Sequence, residues 1–193
     1  MKIYLARHGQ TTGDVENRYG GDYDDHLTET GQQQSVKLAE QLADKGIQKL
    51  YASPRIRAQE TAAVIADKLG LVAETLNDFR ERNGYGVLTG MTKDEALKKY
   101  PDQVELLKDV HNAVSSAEEY IPFQRRIAEA LASLGDKGAE TVAVVTHGGP
   151  IRLIFRDILK LGEIEIDDCA YAVLATDDNQ SYVLLSKSGI EIK

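Results

Sequence analysis

Short apolar runs alternate along this chain with longer segments whose apolar residues recur at helical spacing, and that alternation restricts the fold more than any other feature. The runs at 2–6 ("KIYLA"), 50–52, 72–76, 141–146, 170–176 and 182–186 read as six strands. Between the early ones, 28–45 carries Val36, Leu38, Ala39 and Leu42, and 55–69 carries Ile56, Ala62, Val64 and Ile65, each set on one face of an amphipathic helix. Gly46 and Gly70 follow the last apolar turns, where a left-handed cap takes glycine, and Pro54 suits a first turn. Further helices are expected within 92–100, 118–134 and 150–161, and the last two strands flank the polar turn "DDNQ" as an antiparallel hairpin does. The pattern predicts an α/β fold: a three-layer α/β/α sandwich on a mainly parallel six-stranded sheet with an antiparallel edge.

The 193 residues suit a single domain, 1–193, with a core of ordinary size. Residues 82–120 break the rhythm, being polar, glycine-containing at the start and without a clear strand, and they read as an insertion over the carboxyl edge of the sheet. No apolar run approaches the roughly 20 residues that cross a bilayer, which excludes a membrane-spanning helix. Arg7 and His8 interrupt the N-terminal apolar run after four residues, so "MKIYLARHG" is no signal peptide and the mature chain is expected to start there. Cys169 is the only cysteine, which rules out an intrachain disulfide and a thiolate metal cluster and predicts a cytoplasmic setting. The net charge of −8 argues against nucleic acid and acidic membranes as partners, while leaving room for one small phosphate held by a few converging arginines.

In open α/β sheets ligands bind beyond the carboxyl ends of strands, so the residues just after each run carry the functional information. Arg7 and His8 follow the first run, "SPRIRAQETA" with Arg57 the second, "NDFRERNGYG" with Glu81 the third, and "THGGP" with His147 the fourth. Two arginines, two histidines and one carboxylate suit phosphoryl transfer through a covalent intermediate. A neutral imidazole attacks phosphorus, guanidinium groups hold the equatorial oxygens, and a carboxylic acid protonates the leaving group. Glycine after each histidine lets backbone at Gly9, Gly148 and Gly149 approach an anion, the latter two at the start of a helix. Taken singly, each motif has a bland reading: a structural histidine, a solvated helix arginine, a surface ion pair. Their joint placement after successive strands is what points to a site. The flanking arginines are expected to keep His8 neutral.

These motifs resemble the histidine phosphatase superfamily, also called phosphoglycerate-mutase-like. "ARHGQT" is similar to its nucleophile motif, "SPRIRAQETA" to its arginine motif, "RERNGYGVLTG" to its acid motif and "VVTHGGPIR" to its second-histidine motif, in family order over most of the chain. The resemblance implies that His8 is transiently phosphorylated, that Arg7, Arg57 and His147 bind the phosphoryl group, and that Glu81 is general acid and then base. It implies no metal and no cofactor. "ENRYGGDYDDHLTETG" is similar to the family's substrate loop, which places Gly20 and Gly21 against substrate. Asp14 stands among the binding positions where many relatives carry asparagine, and it repels phosphate unless it pairs with an arginine or turns away. "RNGYG" carries an extra residue between Arg82 and Gly86 relative to the acid motif. His26 and His111 match no motif and are expected on the surface, whereas one of Arg125 and Arg126 is expected to face the pocket.

The expected function is a metal-independent phosphatase acting on a small phosphorylated metabolite. A cofactor-dependent phosphoglycerate mutase is the enzymatic alternative, disfavoured by the short stretch from Gly90 to His147 and the early end after the last hairpin. A phosphoprotein-binding regulatory module is the non-enzymatic one. Substrate identity and oligomeric state are not legible in these residues.

Overall fold

The computed structural model describes residues 1–176 and 181–193, so the turn expected at "DDNQ" lies outside the described residues. The chain runs β1 (Lys2–Arg7), α1 (Thr12–Val15), α2 (Glu29–Leu42), β2 (Lys49–Ala52), α3 (Ile56–Leu69), β3 (Ala73–Thr75), α4 (Lys93–Lys99) and α5 (Pro101–Leu106). It continues through α6 (Tyr120–Ser133), β4 (Thr141–Thr146), α7 (Gly148–Leu153), β5 (Ile164–Thr176) and β6 (Tyr182–Ile192). The six strands form one sheet in the order β3-β2-β4-β1-β5-β6. The first four positions pair in parallel, and β5 and β6 run antiparallel at one side. This is the mixed sheet that the alternation predicts.

Successive strand residues point to opposite faces, and the core divides accordingly. Ile3, Leu5, Val142 and Val144 pack against Phe123, Ile127 and Leu131 of α6 and Ile151 and Leu153 of α7. Their neighbours Tyr4, Ala6, Ala143 and Val145 pack against Leu38 and Leu42 of α2 and Ala58, Ala62 and Ile65 of α3. Each fully buried leucine or isoleucine contributes about 1.5–3 kcal/mol relative to exposure. Burial on both faces thus fixes β1 and β4 at the centre of the sheet, with their carboxyl ends side by side.

The two antiparallel strands are longer than the sequence indicates: β5 begins at Ile164 rather than at 170, and β6 continues to Ile192 rather than ending at 186. An irregularity between Ile166 and Tyr171 hides the period, for Cys169 takes a left-handed conformation at φ 56° within the polar stretch "DDC". Gly189, at φ 66°, likewise interrupts β6. Helix ends also shift. Gly70 closes α3 in the left-handed conformation, its N–H donating to Ala66, but α2 stops at Leu42 and Gly46 lies beyond its cap. Pro54 precedes the cap residue Arg55 of α3, and α7 begins at Gly148, two residues before Pro150. A π-helical stretch from Ile154 to Ile158 continues α7.

Residues 82–119 contain no strand and form a small apolar cluster of their own, Leu88, Ala96 and Val114, packed against Tyr19, Tyr85 and Tyr100. The segment is tied to the loop after α1. Tyr19 N–H donates to the Met91 carbonyl at 2.8 Å, Gly90 N–H donates to the Tyr19 carbonyl at 2.8 Å, and Arg18 Nη1 donates to the Gly90 carbonyl at 2.6 Å.

Candidate active site

Arg7 of β1 lies opposite Thr146 of β4 in parallel register, so the next residues, His8 and His147, leave the sheet side by side. Their rings meet edge to face with centroids 5.0 Å apart. Both are buried, His147 completely.

His8 Nδ1 lies 2.8 Å from the Gly9 carbonyl oxygen, which only an N–H can satisfy, so the proton sits on Nδ1. That leaves the lone pair on Nε2, where Arg57 Nε donates to it at 3.2 Å. Burial, then the charges of Arg57 and Arg7, push the His8 pKa well below 6.5 and keep the ring neutral. The arginines therefore act as expected, with desolvation the larger cause. His147 is also held neutral, by burial first and then by Arg57. Its Nε2 is 2.7 Å from Ser53 Oγ, while Nδ1 is buried without a partner. The Ser53 hydroxyl can donate to or accept from Nε2, and in either case Nδ1 has no protein partner.

Arg57 is 3% exposed, and each guanidinium nitrogen has a partner. Nη1 donates to the Tyr23 carbonyl at 2.7 Å and to Asp25 Oδ1 at 2.8 Å, and Nη2 donates to the Gly21 carbonyl at 2.9 Å. The acidic run "GGDYDD" thereby folds around an arginine of α3. Asp24 adds a second tie, its Oδ1 accepting from Ile56 N–H at 3.0 Å. Asp25 belongs to the site's framework and was not legible in the sequence, because an aspartate in a loop carries no local mark of a buried partner.

Arg7 is braced from β5. Nη1 donates to the Ile166 carbonyl at 2.9 Å, and Nη2 lies 3.0 Å from Asp168 Oδ1. Cys169 N–H donates to the His8 carbonyl at 3.2 Å, so the irregular stretch of β5 holds both residues of the Arg-His pair. Burial raises the Asp168 pKa while Arg7 opposes the rise.

Asp14 finds a partner nearer than any arginine. Its Oδ2 accepts from Thr11 N–H at 2.9 Å and from Thr11 Oγ1 at 2.8 Å, and its own N–H donates to Thr11 Oγ1 at 3.1 Å. This capping box starts α1, and Arg7 Nη2 stands 3.9 Å from the other oxygen. The Thr-x-x-Asp spacing was the available sequence signal for it.

Glu81 arrives through the segment after β3. Phe79 is fully buried, and Thr146 Oγ1 donates to its carbonyl at 2.7 Å. Glu81 Oε1 accepts from Arg82 N–H at 2.8 Å and Oε2 from Gly149 N–H at 3.1 Å. A Cβ at Gly149 would stand 2.1 Å from Oε1, so glycine there makes room for the carboxylate. Gly9 serves differently from the expected approach to an anion. Its N–H donates to Thr61 Oγ1 at 3.1 Å, and a Cβ there would lie 2.5 Å from the Gly31 carbonyl oxygen.

Arg7, His8, Asp14, Gly20, Gly21, Arg57, Glu81 and Gly148 all line one cavity of about 220 Å³, and Arg152 joins them. A second chamber of about 380 Å³ shares Tyr19, Glu81, Tyr85 and Arg152 with it and extends to Arg82 and Phe123 under residues 107–112. His26 and His111 are exposed, pairing with Glu60 and Asp109. Neither Arg125 nor Arg126 reaches the cavity, contrary to expectation. Arg125 lies exposed beside Glu129, and Arg126 turns to Glu118 and the carbonyls of Asp78 and Arg80. Among the described residues no group of three or more His, Cys, Asp or Glu side chains converges as a metal site requires.

Comparison with known proteins gives the same picture. The family model of the histidine phosphatase superfamily (branch 1) matches residues 3–188. Phosphoglycerate mutase-like protein 4 of Arabidopsis thaliana is 35% identical over 160 residues, which is 80% of this chain and 69% of that protein. The metal-independent phosphoserine phosphatase of Arabidopsis thaliana is 32% identical over 161 residues, 80% of this chain and 67% of that protein. The structure of mycobacterial glucosyl-3-phosphoglycerate phosphatase complexed with VO3 superposes with a TM-score of 0.83 at 25% identity, covering 95% of this chain and 96% of that one.

Proposed function

The chain belongs to the histidine phosphatase superfamily, and from that premise we propose that it is a metal-independent phosphatase hydrolysing a small phosphomonoester through a phosphohistidine on His8. The observation that carries this reading is the His8 ring: Gly9 holds the proton on Nδ1, and the Nε2 lone pair sits beside Arg57 in the cavity that Glu81 also lines.

In the first step the Arg57 Nε–H passes from His8 Nε2 to a phosphoryl oxygen, the freed lone pair forms a bond to phosphorus and the ester P–O bond breaks. Glu81 passes a proton to the departing alkoxide. Arg7, Arg57 and His147 stabilise the charge on the equatorial oxygens. In the second step water attacks phosphorus, Glu81 takes its proton, the P–N bond breaks and inorganic phosphate leaves with the lone pair restored to Nε2. Gly20, Gly21, Asp14 and Gly148 shape the binding cavity, Asp14 by capping α1 rather than by touching phosphate.

The reading takes 1–193 as one domain with residues 82–120 inserted over the cavity, supported by the separate apolar cluster of that segment. It includes a cytoplasmic setting, which rests on Cys169 being the only cysteine. No helix among the described residues is long and apolar enough to cross a membrane.

Purified protein is expected to release phosphate from p-nitrophenyl phosphate and small alkyl phosphates, and His8→Ala to lose at least about a thousandfold of that rate, as removal of a covalent nucleophile does. Acid-labile phosphate should be trapped on His8 in rapid-quench experiments. Equal rates for the two proteins would sink the nucleophile, and turnover seen only as a bisphosphoglycerate-primed 3-phosphoglycerate to 2-phosphoglycerate conversion would make the protein a mutase.

A further inference from the structure

Glu81 stands in irregular chain between β3 and α4, where neither a strand ladder nor a helix holds its backbone. Its carboxylate is oriented by two backbone N–H groups, that of Gly149 on Oε2 and that of its own neighbour Arg82 on Oε1. Where Glu81 points therefore depends on where Arg82 sits. Arg82 is 9% exposed. Its Nε donates to the Glu118 carbonyl at 3.0 Å and its Nη1 to the Val110 carbonyl at 2.6 Å, while Nη2 is buried without a partner. The guanidinium also lies over the rings of Tyr120 and Phe123, 5.3 and 5.9 Å from their centroids.

The other side of Glu81 is held from the same place. Arg126 of α6 donates from Nη1 to the Arg80 carbonyl at 3.0 Å, and from Nε and Nη2 to the Glu118 carboxylate at 2.9 and 2.7 Å. Glu118 thus gives its carboxylate to Arg126 and its carbonyl to Arg82, and its N–H donates to the Asn83 carbonyl at 2.8 Å. Residues 80, 82 and 83 are fastened to the end of the inserted segment, with Glu81 between them. The three guanidinium nitrogens of Arg82 are accounted for without a carboxylate, and burial works against its charged form. Such a charge is costly, and an apolar side chain would fill the space between two rings at lower cost. What arginine adds there is a planar fork that spans two carbonyls at once.

We propose that Arg82 is a positioning residue for the general acid: its fork, spread between Val110 and Glu118, holds its own N–H against Glu81 Oε1 and so aims the carboxylate into the space between the two chambers that Glu81 lines. Nη2, the nitrogen without a partner, has no surface on which to meet a ligand, so Arg82 acts through Glu81 and not on substrate. The inserted segment is thereby coupled to proton transfer as well as to the shape of the larger chamber. The inference deepens the phosphatase reading and rests on it for the reaction that Glu81 serves.

The test is a double-mutant cycle on glycerol 3-phosphate and p-nitrophenyl phosphate with Arg82→Met, which keeps the stem between the rings and removes the fork, with Glu81→Gln, and with both together. Single-turnover rates are read at saturating ester, so that a change in binding does not enter. Arg82→Met should slow the alkyl ester by about 10- to 100-fold, the scale of a misplaced catalytic group, and the aryl ester, whose leaving group needs no proton, far less. In the Glu81→Gln protein the same substitution should cost less than about twofold on either ester, because no acid is left to misplace. An equal loss on both esters, no loss on the alkyl ester, or a full loss repeated in the Glu81→Gln protein would overturn the proposal, the first and last of these making Arg82 a structural anchor only. A second readout needs no turnover. The Gly149 amide proton reports the bond to Oε2, and by heteronuclear NMR its resonance in Arg82→Met should move toward its position in Glu81→Ala; a resonance that stays in place overturns the proposal. If the unsubstituted protein turns over neither ester, the phosphatase reading fails and the Gly149 amide alone decides whether Arg82 positions Glu81. Should Arg82→Met fail to fold, Arg82→Lys, which keeps the charge and the stem but not the planar fork, takes its place in both measurements.

Discussion

Gly149→Ala sets two structural effects against each other. In a helix, alanine is favoured over glycine by about 0.5–1 kcal/mol, so on propensity alone the substitution stabilises the first turn of α7. The added Cβ, however, lands 2.1 Å from Glu81 Oε1 and 3.0 Å from Cδ. The atoms in its way are the end of a flexible side chain, so the carboxylate swings out and the helix stays. What is lost in stability is the Gly149 N–H bond to Oε2, a charge-assisted hydrogen bond of about 1.5–3 kcal/mol. Propensity offsets part of it, and net destabilisation should be about 1–2 kcal/mol. Catalysis should suffer far more. A displaced general acid forfeits about 10²–10⁴-fold, or about 2.7–5.5 kcal/mol at 1.36 kcal/mol per decade. Only substrates whose leaving group needs the proton should feel that loss. The assay compares kcat/KM for an alkyl phosphate and for p-nitrophenyl phosphate, with urea unfolding of the same variant as the control. Expected is a loss of a hundredfold or more on the alkyl ester and a much smaller one on the aryl ester. Wild-type turnover of the alkyl ester, or an equal loss on both, would refute the assignment of Glu81.

Asp25→Asn removes the carboxylate from the buried pair with Arg57. Breaking such a pair costs about 3–5 kcal/mol, and because Arg57 keeps two carbonyls and His8 the expected cost is about 2–3 kcal/mol. At about 2–4 °C per kcal/mol for a chain of this size, the melting temperature should fall by about 4–12 °C; a change below about 1 °C contradicts a stabilising pair. Stability should also fall with acidification, beginning near pH 6.5. His8 and His147 are neutral and have lowered pKa values in the folded state, so below about pH 6.5 the unfolded chain binds more protons, and stability is lost as pH drops toward the folded values. His26, raised by Glu60 but exposed, acts weakly in the opposite sense. Each buried ring contributes up to about 1.4 kcal/mol per pH unit, and urea midpoints that do not move between pH 7 and 5 would contradict their burial as neutral rings.

The residues brought together at the cavity were largely legible beforehand, and for a local reason. Arg7, His8, Arg57 and Glu81 follow strands or begin the helix after one, and a parallel sheet must deliver such positions to one edge. Asp14 was half legible: its spacing from Thr11 signals a capping box, yet its distance to Arg7 depends on how α1 sits against β1. The true lengths of β5 and β6 were hidden because their period is interrupted at Cys169 and Gly189, where the backbone turns left-handed. Asp25 and Asp168 carried no signal at all. Each is an acidic residue in a polar stretch, indistinguishable from a solvated one until its arginine arrives from another element.

The chain's own pattern of apolar periods and strand-end motifs determined the α/β architecture, the family and the set of groups that meet, since periodicity and spacing are properties of neighbouring residues. Only the tertiary structure decided how those groups are charged and aimed. The proton on His8 Nδ1, the buried pairing of Arg57 with Asp25 and the brace of β5 on Arg7 all depend on partners far away in sequence. Desolvation and hydrogen bonding act through distance in space, which no local pattern encodes.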